Sequence, residues 1–497
     1  MRIVDTSEMR AAEAAAFARG VSGFLLMRRA GRAAAEFISS WARRFAFSRL
    51  VFLCGSGNNA GDALVAATLL SETFPCILYL SRPLAKLHGT AAEAAAMVPG
   101  KLTASAIADF DALELRSGDL VIDGLLGIGL QGEVRAPLAD VIRKVNASRL
   151  PVIALDVPSG MDSDTGRGRV PGGTALRASC TITFGMPKRG LFTPEGMAFS
   201  GSLHIADIGL SDESDSACVA AYSDSEALRD LPRFDVDTHK NRRGQLLVMA
   251  GSRRYPGAAA LATLAGLRGG AGLVRLLYPE GTNVTIPHAA IPVVLSATGQ
   301  GGFAAAPDWS EYPVAAALVA GPGWGDDVPQ AVLQKVLEFP GRLLLDADAL
   351  NLLARYPELW RRRGDTVMTP HAGEAERLRR AFGVPESADR VELAGKLAER
   401  LGAVVVLKGP RTAVASDIGV SLNISGSADL ATAGSGDVLS GLIGALLANG
   451  MDVYSAARLG VFIHGRAGES CGRGGISDDF PMAISVVMQK LEKGLVF

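Results

Sequence analysis

Leu50-Val51-Phe52-Leu53-Cys54-Gly55-Ser56-Gly57-Asn58-Asn59-Ala60-Gly61-Asp62-Ala63 joins an apolar run, a glycine turn and the start of an alanine- and leucine-rich stretch. It reads as strand, tight turn and helix, the opening unit of a doubly wound α/β sheet. Glycines at that position let backbone N–H groups close on an anion where the helix N-terminus also favours negative charge. A second turn of this kind, Ala433-Gly434-Ser435-Gly436-Asp437, opens the stretch 438–448 near the other end of the chain. Two anion cradles imply two nucleotide-handling sites.

Outward from the first turn, short apolar runs alternate with helical patterns. Strands are predicted at 50–54, 76–80, 120–123, 152–155 and 180–184, preceded by an amphipathic two-helix arm over 7–44 with a break near Gly20–Gly23. The segment 211–237 is rich in Ser, Asp and Glu and lacks a long apolar run, so the domain boundary is expected within it. Strands restart at 245–250, 273–278, 316–320, 343–345, 366–368 and 404–407, most followed directly by glycines or carboxylates. Two α/β domains are expected, 1–215 and 225–497, with ligands at the carboxyl ends of their strands.

Bulk composition narrows the class. At 497 residues the chain exceeds one ordinary core, and Lys+Arg 50 against Asp+Glu 51 gives no field that would draw it to nucleic acid or an anionic membrane. Five scattered cysteines without ligand spacing read as reduced thiols. The first residues carry acidic side chains and helical periodicity instead of a signal sequence, and no apolar stretch reaches a membrane span. A soluble cytoplasmic enzyme is the expectation.

The first turn fits G-x-G-x-x-G/A, yet the acid that holds a nicotinamide ribose is missing, because the second strand runs into Ser81-Arg82-Pro83. Hydride transfer is therefore disfavoured. Instead Asn58, Asn59, Asp62, Asp123 and the run Asp156-Val157-Pro158-Ser159-Gly160 bring carboxylate, amide and hydroxyl oxygens to strand ends. Oxygen ligands suit a hard cation, and a monovalent ion and magnesium both fit. The second turn lacks the Gly-Lys-Ser/Thr of a P-loop. Asp437 there is placed either to accept a proton from an attacking hydroxyl or to cap the helix. Lys408-Gly409-Pro410-Arg411-Thr412 supplies a cation and a turn at another strand end, as do Asp346-Ala347-Asp348 and His371-Ala372-Gly373-Glu374.

Together Met9-Arg10, Leu26-Met27, Ala30-Gly31, Gly57-Asn58-Asn59, the 156–160 run and Phe184-Gly185 with Lys188-Arg189-Gly190 resemble the NAD(P)H-hydrate epimerase family over most of residues 1–210. The resemblance implies a Rossmann-like three-layer sandwich. It implies K+ held by Asn59, Asp123 and Ser159, and substrate held by Asn58, Asn59, Ala60, Gly61, Asp62, Gly127, Ile128, Gly129, Leu130, Gln131, Gly132, Glu133 and Asp156. Asp156 and Lys188 are the expected proton-transfer residue and its electrostatic partner. The chain departs from the family at Ala60 and Ala63, where glycines are usual, and at Arg28-Arg29, where Glu-Asn is usual.

Over 235–490 the motifs His239-Lys240, Ala250-Gly251-Ser252, Gly321-Pro322-Gly323, Asp346-Ala347-Asp348, Lys408-Gly409, Gly434–Leu439 and His464-Gly465 resemble the ADP/ATP-dependent NAD(P)H-hydrate dehydratase family of ribokinase-like fold. That resemblance implies nucleotide phosphates on Lys408, Gly409, Pro410, Arg411, Thr412 and Gly436, with substrate at Ala258, Gly323, His371 and the catalytic base Asp437. Mg2+ accompanies ADP or ATP as co-substrate, with ADP favoured. The implied partners are NADHX and NADPHX, with no nucleic acid or membrane and a homo-oligomeric assembly. The rival reading is a small-alcohol kinase fused to a non-catalytic nucleotide-binding module.

Overall fold

The computed structural model describes residues 1–107, 113–210, 219–361 and 364–495. The chain divides into two compact units, Met1–Ala217 and Cys218–Phe497.

The first unit carries β1 (Arg49–Cys54), β2 (Cys76–Leu80), β3 (Thr103–Ala106), β4 (Asp119–Gly124), β5 (Val152–Leu155), β6 (Cys180–Phe184) and β7 (Ser202–Ala206). All pair in parallel, in the order β3-β2-β1-β4-β5-β6-β7. β1 is apolar along its length because both faces are covered. Leu50, Phe52 and Cys54 pack with helices Gly23–Arg44, Asn58–Leu70 and Gly89–Ala96, whereas Val51 and Leu53 pack with helix Leu138–Ser148. This is the expected three-layer arrangement. The chain winds from β1 to β3, then returns to β4 on the other flank of β1. The loops after β1 and β4 therefore part and leave a crevice at their carboxyl ends. Asp123, next to last in β4, stands in register with Leu53 and Ala154 at that edge.

The second unit carries β8 (Val219–Tyr222), β9 (Gln245–Met249), β10 (Leu273–Pro279), β11 (Ile291–Leu295), β12 (Ala315–Ala320), β13 (Arg342–Leu345), β14 (Thr366–Met368), β15 (Val404–Leu407), β16 (Ala413–Ser416) and β17 (Gly419–Asn423). Their order is β11-β10-β9-β12-β13-β14-β15-β16-β17-β8, antiparallel only where β16 meets its two neighbours. The direction of winding reverses between β9 and β12, which makes a second crevice.

The second unit begins before the expected residue 225. β8 completes its sheet against β17, and the following helix Asp224–Asp230 is tied down by Arg466 on Asp224 (3.1 Å) and Arg458 on Asp230 (3.2 Å). A four-residue strand after a serine- and acid-rich run carries too little pattern to be seen in sequence. Four cysteines are free thiols, two of them buried, and Cys218 lies outside the described residues. Among the described residues no helix is long and apolar enough to cross a membrane.

Ala60 and Ala63 both sit inside helix Asn58–Leu70 and are wholly buried, with no left-handed backbone to penalise a side chain. Gly55 has no such latitude. Its N–H donates to the Gly124 carbonyl at 3.0 Å, and a β-carbon there would stand 1.8 Å from the Leu125 carbonyl oxygen. Gly55→Ala is expected to destabilise the first unit by more than about 2 kcal/mol. Gly129→Ala, in open space, is expected to stay within about 1 kcal/mol; urea titration of the full chain compares the two.

Candidate active sites

At the first crevice, helix Asn58–Leu70 starts directly from the glycine turn and presents Asn59 and Asp62 inward, both buried, while Asn58 stays exposed and accepts from the Thr90 hydroxyl at 3.0 Å. Asn59 Nδ2 donates to the Leu126 carbonyl at 3.0 Å, which leaves Asn59 Oδ1 buried without a partner. The Ser159 hydroxyl donates to Asp123 Oδ1 at 2.6 Å and accepts the Leu126 N–H at 2.8 Å. Asp123 Oδ2 accepts the Ser159 N–H at 2.8 Å, and burial pushes its carboxyl up to about 6. Asn59, Asp123 and Ser159 thus converge on the loop after β4 as an oxygen-rich nest. An unpartnered amide oxygen within such a nest is the kind of atom a monovalent cation satisfies.

Beside it, Lys188 is buried and its ammonium is ion-paired with the Asp156 carboxylate, also donating to the Phe184 carbonyl at 3.0 Å. The Phe184 N–H donates to Asp156 Oδ1 at 3.3 Å. Asp156 is held at φ 64°, a left-handed conformation that a non-glycine residue adopts only when its surroundings impose it. The N-terminal segment closes the site: Val4 bridges the backbone on either side of Lys188, donating to Pro187 and accepting from Arg189. Helix Thr6–Ala18 then brings in Glu13, whose carboxyl is raised by burial and by Asp156. Burial, Asp156 and Glu13 hold Asp62 well above the usual carboxylate range. A carboxyl with a raised pKa beside an ion-paired carboxylate is a donor–acceptor combination for proton transfer.

At the second crevice, Asp346 directly follows β13 and takes Lys408 Nζ on one oxygen at 2.8 Å and the Ser440 hydroxyl on the other at 2.7 Å. Lys408 follows β15, and Asp346, Glu374 and Asp437 outweigh its burial to hold its ammonium above the usual value. Its Nζ lies 3.3 Å from where a β-carbon on Gly436 would stand, so the cation sits against the N-terminal turn of helix Ser435–Ala448. Asp437, one residue on, is pushed up to about 7 by burial and by Asp346, against the opposing pull of Lys408. Its carboxyl has no hydrogen-bonding partner among the described residues, so the capping alternative is not realised.

His371 caps helix Ala372–Ala381: Nδ1 accepts the Gly373 N–H at 2.9 Å, and Glu374 accepts the His371 N–H at 2.8 Å. Burial and the Lys408 charge lower its pKa. Gly323 lies against Ala258, with a would-be β-carbon 2.7 Å from the Ala258 methyl at φ 64°, so only glycine fits there. Ser252 Oγ, buried in the loop after β9, has no partner.

Most residues anticipated from sequence meet at these two edges. Gln131, Gly132 and Glu133 lie exposed further along the loop from Gly127, and Ile128 packs on the apolar cluster of Val4, Met9 and Met186. In the second unit Gly409 and Pro410 are exposed, and Arg411 donates to the Ile424 carbonyl at 3.0 Å. Sequence reading missed Glu13, Ser440 and the Leu126 carbonyl. Glu13 shares the helix face of Met9 and Ala16, both buried, and a carboxylate at that spacing was the available signal.

The sequence has counterparts among known proteins. The family profile described as NAD(P)H-hydrate dehydratase matches residues 246–477, and the profile described as YjeF-related protein N-terminus matches 24–190. A protein of Coxiella burnetii named bifunctional NAD(P)H-hydrate repair enzyme is 38% identical, covering 95% of this chain and 97% of its own. One of the same name from Escherichia coli is 34% identical, covering 90% of this chain and 85% of its own. Among solved structures, the ADP/ATP-dependent NAD(P)H-hydrate dehydratase of Bacillus subtilis, co-crystallised with ATP/Mg2+, is 27% identical over 55% of this chain and 99% of that one, with a TM-score of 0.47. With such identity sustained along nearly its whole length, the chain belongs to the bifunctional NAD(P)H-hydrate repair enzyme family.

Proposed function

We propose that the N-terminal unit interconverts the R and S hydrates of NADH and NADPH, and that the C-terminal unit dehydrates the S form back to the reduced coenzyme at the expense of ADP or ATP. The observation that carries this reading is Asp437, a carboxyl poised near neutrality beside Lys408 at an anion-binding helix start. A kinase that released a phosphorylated alcohol, fused to a passive binding module, would leave the buried Lys188–Asp156 pair without a task.

In the first unit, exchange of the C6 hydroxyl needs a proton given to the leaving oxygen and withdrawn from the returning water. Asp156 is assigned as the group that moves this proton. Lys188 holds the Asp156 carboxylate in place and balances its charge. Asn58 to Asp62 and the loop from Gly127 form the binding wall. Asn59, Asp123 and Ser159 are the residues that would hold K+, which would supply positive charge to the bound dinucleotide.

In the second unit, Lys408 to Thr412 and Gly436 receive the nucleotide phosphates, with Mg2+ entering as part of the co-substrate. Ala258, Gly323 and His371 hold the hydrate. Asp437 takes the proton of the C6 hydroxyl as it attacks the terminal phosphoryl group. The backbone N–H groups of Gly434–Gly436 stabilise the developing charge, and loss of phosphate from C6 with a proton from C5 restores the ring double bond of the dihydronicotinamide.

Incubation of the protein with mixed R/S hydrate, ADP or ATP, K+ and Mg2+ tests the whole reading through the reduced-nicotinamide absorbance. Complete recovery supports both units, recovery of the S portion alone supports only the second, and no recovery overturns the proposal. Asp156→Ala is expected to abolish epimerisation and to leave S-dehydration intact. It also strands the Lys188 ammonium in a buried site, at a cost of about 3 kcal/mol. The Asp156→Ala/Lys188→Met double variant should regain stability in urea titration without regaining activity.

Because Asp437 must be ionised to act, kcat/KM of the dehydration should rise with pH and level off above about 7. Lys408→Met removes the charge that lowers the Asp437 pKa, so the profile should move to higher pH; an unmoved midpoint would show that another group titrates.

A further inference from the structure

The loop after β12 and helices Ala347–Arg355 and Ala372–Ala381 line an open groove of about 730 Å3, large enough for a nucleoside-sized group. Asp326, Asn351, Arg355, Arg377 and Arg380 provide its polar lining. Three guanidinium groups therefore face one carboxylate. Arg380 is engaged by Glu376, which also takes Arg379. Arg355 and Arg377 have no carboxylate partner among the described residues.

The groove is continuous with the substrate loop. Arg377 Nε donates to Asn351 Oδ1 at 2.8 Å, Asn351 Nδ2 to Asp348 Oδ1 at 3.3 Å, and the Gly325 N–H to Asp348 Oδ2 at 2.9 Å. A narrow recess lined by Gly325, Asp348, Asn351 and Arg355 joins the two. The chain of contacts runs from the arginines to within two residues of Gly323, which packs on Ala258. The loop assigned to the phosphates of ADP or ATP lies elsewhere, after β15, which β14 separates from β13. An anion in this groove therefore belongs to the other nucleotide, the hydrated coenzyme.

Resting on the dehydratase reading above, we propose that this groove receives the adenosine end of the hydrated dinucleotide and that Arg355 and Arg377 grip the 2′-phosphate that distinguishes NADPHX from NADHX. A phosphate monoester presents three oxygens to guanidinium donors that match it in bidentate fashion, whereas the free ribose hydroxyl of NADHX offers them no charge. The second unit is thus built to favour the phosphorylated coenzyme. Arg377 also positions Asn351, so Arg355, which is exposed and makes no such contact, is the cleaner probe.

Steady-state dehydration of (6S)-NADHX and (6S)-NADPHX by the full chain tests this. Arg355→Ala should lower the ratio of kcat/KM for NADPHX over NADHX about tenfold, through KM and not kcat, as expected for loss of a charge-assisted contact. Arg355→Lys should recover part of it. Calorimetric titration with adenosine 2′,5′-bisphosphate provides an arm that does not depend on turnover. The parent should bind it more tightly than adenosine 5′-phosphate, and Arg355→Ala should erase the difference. An unchanged ratio, or equal binding of the two adenosine phosphates by the parent, overturns the groove assignment. A parent that binds the bisphosphate selectively yet dehydrates neither hydrate instead refutes the reaction and leaves the groove standing.

Discussion

Each unit is organised around one lysine locked to an aspartate at the carboxyl ends of its parallel strands, Lys188 with Asp156 and Lys408 with Asp346. Such pairs are costly to bury, and they persist where further hydrogen bonds complete them. Asp346 is satisfied on both oxygens by Lys408 and Ser440, and Lys188 by Asp156 and the Phe184 carbonyl. With those pairs fixed, the remaining carboxylates at each edge cannot all ionise. Asp62 and Glu13 are driven upward in the first unit, as Asp437 is in the second. The acid and base capacity of both sites follows first from burial and then from this crowding of like charge around a single cation.

Backbone strain gathers at the same places. Of the non-glycine residues held at positive φ, Asp156, Ala347 and Arg411 lie at strand-end loops of the two sites. Ala347 follows the aspartate that binds Lys408, and Arg411 lies three residues beyond Lys408. The chain turns sharply just after each strand so that a side chain or amide faces the crevice, and the packed sheet beneath absorbs the conformational cost.

The central strands were legible because burial on both faces makes them continuous apolar runs, as in β1, β5 and β15. The edges were not. β3 is the polar run Thr-Ala-Ser-Ala, and β11 carries Pro292 with much of its length exposed. The hairpin of β16 and β17 falls beyond the last strand that pattern alone disclosed. For the sites, loop residues adjoining apolar strands were found, since turn chemistry marks them. Groups delivered by a distant element escaped: Glu13 comes from the N-terminal arm and Ser440 from inside an apolar helix.

The two activities need no arrangement between the units to work together. A dehydratase that fixes the C6 hydroxyl between Asp437 and the Gly434–Gly436 amides accepts one configuration at that carbon, because the opposite one turns the hydroxyl away from both. Phosphoryl transfer followed by phosphate loss makes consumption of that form effectively one-way. Any catalyst that equilibrates the two configurations then drains the other through free solution. The epimerising unit is accordingly asked only for reversible loss and return of the C6 hydroxyl, a task that we assign to Asp156 with its lysine and that needs no co-substrate. The costly step, and the nucleotide that drives it, are confined to the unit whose anion-binding helix can hold a transferring phosphoryl group.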